Sequence, residues 1–352
     1  MQKQSKVWGG NSAAAAASLV ERVKSLDRSS ELKKQYTPIV IQPHVVGAAQ
    51  NRLISTLLEC NSTQHGGSVF FQDRIPNSRG EYVDVLRFTI DQAIVRGEEK
   101  TVDGHISNRS NEELLSCELD SLTDFLIRRE IIADRHADLY PLRPLERLKD
   151  IDDERPTLAL VNRNVAPYLG MDSLGVHLHC YQKEGPIIKL WLAKRAPTKS
   201  HHANMLDPTV AGGHPFNLSL IENVTKEAYE EAGVPSEWIR KANPKFSDLT
   251  HDPITINTSK ADGSCMKHSI YYSCDLEVPR SWRPRAVDGE VEEFLSYTMN
   301  ELEHELRYGT AVRPSMVAVL VDFMIRHGQL KMGNDDEEIL RKAMRNERLS
   351  LF

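Results

Sequence analysis

The stretch GGHPFNLSLIENVTKEAYEEAGV, Gly212 to Val234, constrains this chain more than any other. It sets a glycine turn, a capped helix and three carboxylates in one short segment. Ser219 followed three residues later by Glu222 makes a capping box, in which each side chain satisfies a backbone N–H at the helix start. Gly233 and then Pro235 supply the stop signal. The pattern predicts a helix of about three turns from near Leu220 to near Ala232. Leu220, Ile221, Val224, Ala228 and Ala232 recur at helical spacing as its core-facing stripe. Glu227, Glu230 and Glu231 fall off that stripe.

Residues three and four apart stand above one another on a helix, so Glu227 shares a surface patch with Glu230 and Glu231. Like charges at that spacing repel by a few tenths of a kcal/mol, and a hard divalent cation bound through oxygens reverses the sign. A solvated acidic face is the alternative, and the carboxylates alone do not decide between the two. Gly212 and Gly213 let the backbone pass close to a ligand or metal without a Cβ.

The segment resembles the Nudix box, G-x5-E-x7-R-E-U-x-E-E-x-G-U with U a bulky apolar residue. It aligns through Gly212, Lys226, Glu227, Ala228, Glu230, Glu231, Gly233 and Val234. Two positions depart from the pattern: Leu218 stands at the first Glu and Lys226 at the Arg. Lys226 can reach Glu230 one turn on, but as a point charge without the bidentate fork of an arginine. Glu222 is the one nearby candidate to replace the missing Glu, although its capping-box duty is the more economical reading.

The flanks narrow the resemblance. LGVHLHCY, IIKLWLAKRAPTK and MLDPTVAGG upstream, with DGEVEEF and RPSMVAVLVDFMIRHG downstream, are similar to the fungal and plant Nudix proteins described as thiamine pyrophosphokinase-related. The segment ELLSCELDSLTDFLIRREIIADRHADLYPLRP resembles the end of their own N-terminal region. The resemblance implies a Mg²⁺- or Mn²⁺-dependent hydrolase of a small-molecule diphosphate, thiamine diphosphate or an oxidised or damaged analogue. The metal falls to Glu227, Glu230 and Glu231. It implies a further carboxylate from DGEVEEF, either Glu290 or Glu293, with Glu227 or one of these as the base. Substrate contacts are expected from Lys194, Arg195, His202, Gly212 and Gly213. Because Leu218 and Lys226 break the box, a silent module that only binds a nucleoside or thiamine diphosphate is the main alternative. An isomerase would need an activated cysteine, and Cys180 and Cys274 have no activating neighbour in sequence.

At 352 residues the chain is long enough for two domains, each with its own core. A net charge of −6 argues against a nucleic-acid-coating surface. No apolar run approaches the roughly 18 residues of a membrane span. The five cysteines are odd in number and scattered, which suits reduced thiols in an intracellular compartment. A cytoplasmic protein is expected. The basic start with its alanine run, Ala13 to Ala17, is also compatible with an organellar, mitochondrial leader. A homodimer is left open.

Four regions are expected: a flexible or targeting extension over 1–36, a smaller α+β module over 37–150, a Nudix domain over 151–335, and a charged helix or tail over 336–352. PIVIQPHVVGAAQNRLISTLLE reads as a strand, a turn and a helix, EYVDVLRFTI as a strand, and NEELLSCELDSLTDFLIRREII as a long helix. The stretch from Gly66 to Gly80 is turn-rich, and PLRPLERLKDIDDERP reads as a linker. Beyond it, SLGVHLHCY alternates as a half-buried strand, with His177 and His179 on one face. IIKLWLAKR, SIYYSCDLEV and VEEFLSYTM are further strands, with Trp191 facing the core. TMNELEHELR and PSMVAVLVDFMIRHG are helices. Strands interleaved with helices predict an α/β/α sandwich around a mixed sheet, which is also the Nudix architecture.

Overall fold

The computed structural model describes residues 19–23, 35–41, 44–63, 70–76, 80–88, 110–144, 156–247, 250–257, 265–330 and 332–344. The alanine run and most of the linker lie outside them. The N-terminal module opens with β1 (Tyr36–Ile41), β2 (His44–Gln50) and α1 (Asn51–Thr63), followed by β3 (Phe70–Pro76), β4 (Tyr82–Phe88) and α2 (Asn111–Arg128). Its four strands run in the order β2-β1-β4-β3, with β1 and β4 parallel and the outer pairs antiparallel. The strand β3 lies inside the stretch expected to be turns. Phe70 packs face to face with Phe88 of β4, 5.0 Å between ring centroids, and this cross-strand pair holds an otherwise exposed edge in place. Ser110 and Glu113 cap α2 as a second capping box.

A two-stranded hairpin, β5 (Leu139–Leu142) and β6 (Ala159–Asn162), follows. Leu160 donates its N–H to the Ser116 hydroxyl at 2.9 Å, tying the hairpin to α2. Tyr140, Leu142, Ala159, Val161, Val165, Tyr168, Leu169 and Met171 join the same hydrophobic core as Leu53, Leu57, Leu119 and Phe125. The module core therefore extends to Met171, and a boundary at 150/151 divides it. The linker composition marked a connection but not the return of the chain into the first core.

The second module is built on a seven-stranded mixed sheet. It comprises β7 (Asp172–Glu184), β8 (Ile187–Arg195), β9 (Leu206–Pro208), β10 (Val210–Gly213), β11 (Thr250–Asn257), β12 (Cys265–Glu277) and β13 (Val291–Thr298). The main path is β11-β12-β7-β8-β13, with β7 and β12 parallel and β10 and β9 added antiparallel to β7 and β8. Helix α3 (Leu220–Ala232) and α4 (Ser236–Ala242) cover one face. There Val224, Ala228, Ala232 and Ile239 pack on Leu178, Cys180 and Trp191. The other face carries α5 (Met299–Tyr308), α6 (Val317–Arg326) and α7 (Asn334–Met344). Every residue of α6 from Val317 to Ile325 is buried, as expected of a helix enclosed on all sides.

Two expectations change here. SLGVHLHCY is buried on both faces rather than half-buried, because β7 lies inside a sandwich with helices on each side. His177 packs edge-on to Tyr271, and His179 lies 5.0 Å from the Phe323 ring and 3.1 Å from the Asp275 carboxylate. Residues 19–23 are helical and docked, with Leu19 and Val23 buried among Leu306, Met316 and Leu320. Part of the expected extension is thus seated on the second module, since Leu19 and Val23 are four apart and present one apolar face.

Candidate metal centre

Helix α3 begins as the sequence requires. The Ser219 hydroxyl accepts from the Glu222 N–H, while the Glu222 carboxylate accepts from the Ser219 N–H and hydroxyl. A cap of this kind is worth about 1 kcal/mol. It also engages Glu222, which therefore does not replace the carboxylate missing at Leu218. The helix ends at Gly233 with φ of 66°, a left-handed conformation that favours glycine.

Helix α3 lies against β10, and two of its carboxylates meet that strand. A Cβ at Gly212 would stand 2.5–2.7 Å from the Glu227 carboxyl group, so any other residue there would displace that carboxyl group. Glu231 is 7% exposed and accepts from the Ala211 N–H at 2.9 Å. Burial pushes its pKa up to about 8, with Glu227, Asp207 and Asp288 adding to the rise and the Ala211 N–H opposing it. Glu227 is raised as well, first by burial, against the lowering effect of Lys226. A carboxyl group whose ionised form is disfavoured by an acidic and nearly dry site is one that a cation would ionise and hold.

A second segment closes on Glu231 from outside the helix. The Arg285 N–H donates to the Ala232 carbonyl at 3.0 Å, pinning the loop ahead of β13 to the end of α3. Gly289, with φ of 80°, then turns the chain so that Asp288 and Glu290 fall together, and the Glu290 N–H donates to Asp288 at 2.8 Å. Oxygens of Glu231, Asp288 and Glu290 lie within 4.8 Å of one another, close enough for one oxygen-ligated divalent cation to share. Lys199 reaches the Glu290 carboxylate at 2.6 Å.

The remaining expected residues separate into those near this cluster and those that are not. Lys226 bridges Glu230 at 2.9 Å and Glu227 at 3.2 Å, which is the reach the sequence suggested. Glu230 is half-buried on the helix surface and does not enter the Glu231 cluster. Glu293 turns to Lys194 at 3.1 Å, on a strand whose register slips between Val291 and Glu293. Lys194 is shared with Glu292 at 2.9 Å, so Lys194 and Glu293 occupy each other at the sheet edge. Arg195 binds Asp207 at 2.7 Å and the His201 carbonyl at 3.3 Å, and Arg313 holds the other oxygen of Asp207 at 2.6 Å. His202 lies beside this group, its pKa lowered by burial and then by Arg313 and Arg195. These residues knit β8 to β9. Cys180 and Cys274 are buried, and burial pushes both thiols up, the opposite of an activated nucleophile.

Three residues near the site escaped the sequence reading. Asp288 could have been found from its Asp-Gly turn beside Glu290. Tyr140 and Arg163 had no signal, because the hairpin that brings them to Gly213 is a long-range contact. A Cβ at Gly213 would stand 3.0 Å from the Tyr140 hydroxyl and 3.3 Å from Arg163 Nη1.

No family model matches the chain. Among curated proteins it is similar to Nudix hydrolase 20, chloroplastic, of Arabidopsis thaliana, 26% identical over 93% of this chain and 77% of that protein. Nudix hydrolase 24, chloroplastic, of the same plant is 24% identical over the same shares. An uncharacterized protein of Saccharomyces cerevisiae is 32% identical over 50% of this chain and 53% of its own. Among solved structures, a Nudix hydrolase from M. smegmatis, RenU, matches at 14% identity and a TM-score of 0.32, over 46% of this chain and 89% of that one. The MutT protein from Methanosarcina mazei Go1 matches at 16% identity and a TM-score of 0.32, over 45% and 94%. Among the described residues no helix is long and apolar enough to cross a membrane.

Proposed function

We propose a substrate and a division of labour for a chain that belongs among the Nudix hydrolases: it hydrolyses the diphosphate of thiamine, or of an oxidised or damaged thiamine, to the monophosphate and phosphate. The thiamine assignment rests on the flanking motifs around the box. The observation that carries the hydrolase chemistry is Glu231, a buried carboxylate on the box helix faced by Asp288 and Glu290 from a separate loop.

The donor set is all carboxylate oxygen, which suits Mg²⁺ or Mn²⁺. Glu231, Asp288 and Glu290 would hold the ion, with Glu227 and Glu230 on the same helix available to a second. Bound there, the ion supplies neutralisation of the diphosphate charge and a more acidic water. Glu227, its pKa raised by burial, would be the carboxylate that takes up a proton. Gly212 keeps the space around that carboxyl group open. Lys226 fixes the exposed side of Glu227 and Glu230, and Lys199 steadies Glu290. A protein confined to the cell interior, in the cytoplasm or an organelle, fits the odd and scattered set of cysteines.

Phosphate release from thiamine diphosphate, oxythiamine diphosphate, ADP-ribose and a dinucleotide, each with Mg²⁺, tests the reading. Turnover of a thiamine diphosphate well above the others is expected. Preference for ADP-ribose or the dinucleotide removes the thiamine assignment. Metal-dependent binding without release in any of the four leaves a silent binding module in place of an enzyme.

A further inference from the structure

The hairpin formed by β5 and β6 belongs to the N-terminal core, yet its far end touches the glycine pair of the box. Arg163 is the first residue after β6. Its N–H donates to the Asp138 carbonyl at 3.2 Å, and its Nη1 donates to the Asp138 carboxylate at 3.1 Å. Asn162, beside it, is clamped by both backbone groups of His136 at 3.2 and 2.9 Å. The guanidinium carbon lies 5.8 Å from the centre of the Tyr140 ring, and Tyr140 is buried. The head group is thus held by rigid neighbours, while the side chain stays 38% exposed.

Its position relative to the carboxylates follows from two adjacent glycines. Glu227 fills the space a Cβ would take at Gly212, and Tyr140 and Arg163 fill that space at Gly213. Consecutive Cα atoms are about 3.8 Å apart and successive Cβ atoms of a strand point to opposite faces, so the box carboxylate and the guanidinium stand on either side of the same short piece of backbone, at the end of the strand where a diphosphate can reach both. Glu227 and Arg163 both act on the Tyr140 phenol, Glu227 raising its pKa and Arg163 lowering it.

Several cations near the carboxylates already serve acidic partners. Lys226 serves Glu227 and Glu230, Lys199 serves Glu290, Lys194 serves Glu292 and Glu293, and Arg195 and Arg313 serve Asp207. Arg163 also has a carboxylate partner, but Asp138 lies on its own hairpin, and Asp138 and the Tyr140 hydroxyl leave some of its five N–H donors over. We propose that Arg163, held by Asp138 and Tyr140, is a substrate-binding residue that the N-terminal module supplies to the box, where its planar guanidinium grips the diphosphate. The N-terminal module thereby completes the site. This rests on the hydrolase reading above, and its test is chosen to fail separately from it.

The test uses the full chain with Arg163→Met, Arg163→Lys and Tyr140→Phe, each checked by thermal unfolding. Hydrolysis of thiamine diphosphate is measured with saturating Mg²⁺. Binding of inorganic pyrophosphate is measured at equilibrium with Ca²⁺ in place of Mg²⁺. Loss of one bidentate charge-assisted contact should raise KM for R163M about tenfold with kcat within about twofold, and weaken pyrophosphate by a similar factor. R163K should fall between, because lysine keeps the charge and loses the fork. Pyrophosphate bound no more tightly by the wild type than by R163M overturns the proposal, as does a loss confined to kcat and thermal stability. Pyrophosphate binding that depends on Arg163, in a protein that releases phosphate from no diphosphate, overturns the hydrolase reading alone.

Discussion

Glu231→Gln should make the metal-free protein more stable at neutral pH while it removes activity. A glutamate ordinarily titrates near 4.5, and Glu231 is pushed up to about 8 by burial. A carboxyl group whose folded-state pKa is raised favours folding fully below the unfolded value and loses that contribution as pH rises through the folded value. The window is therefore pH 4.5 to 8. With a pH unit worth about 1.4 kcal/mol, the cost of ionising Glu231 is about 1 kcal/mol at pH 5 and about 3 at pH 7, approaching at most about 5 above pH 8. Gln keeps an oxygen for the Ala211 N–H and carries no charge. Urea unfolding in EDTA from pH 5 to 9 should show the wild type losing stability across the window and the variant nearly flat by comparison. Saturating Mg²⁺ should restore the wild type near pH 8 and release a proton on binding at pH 7. Parallel profiles for the two proteins in EDTA would refute the argument, because they would mean that Glu231 is solvated rather than buried as a neutral acid. Hydrolysis by the variant should fall by about a hundredfold or more with loss of the ligand.

Arg195→Ala should cost about 1.5–3 kcal/mol in unfolding free energy, since buried Asp207 loses one of its two guanidinium partners and keeps Arg313, and should leave KM near the wild-type value. Lys226→Met should raise the Mg²⁺ concentration at half-saturation by loosening Glu227 and Glu230; identical titration curves would reduce Lys226 to a surface charge. A chain begun at Asp152 should bind a hydrophobic dye and unfold without a sharp transition, because it exposes Val161, Tyr168 and Leu169. A cooperative, dye-silent fragment would show that these residues find cover elsewhere.

What the sequence made legible was local. The α3 boundaries follow from Ser219, Glu222 and Gly233, and the proximity of Lys226 to Glu230 follows from helical spacing. Each is decided within a few residues. Glu290 was recognisable from its neighbours, but its separation from Glu293 was not. A register slip in β13 and a left-handed Gly289 decide which carboxylate faces Glu231. Lys194 and Arg195 offered positive charge at a strand end, and only the folded chain shows that acidic partners already take it. Likewise, β7 alternates like a strand with one wet face. The second helical layer that dries its other face comes from residues more than a hundred positions later.

The docked turn at 19–23 behaves differently from the core it touches. Leu19, Val20 and Val23 are buried, and Arg22 donates to the Leu306 carbonyl at 2.6 Å at the end of α5. Burying three such side chains returns about 5–8 kcal/mol, while ordering five residues of backbone costs about 5–10. The two nearly cancel, so the turn should detach and reseat many times for each unfolding of the whole. Its amides should exchange with solvent long before those of α6 beneath it, and each opening should leave Leu306 and Leu320 briefly wet. Any processing of the amino terminus that cuts past residue 23 would make that opening permanent.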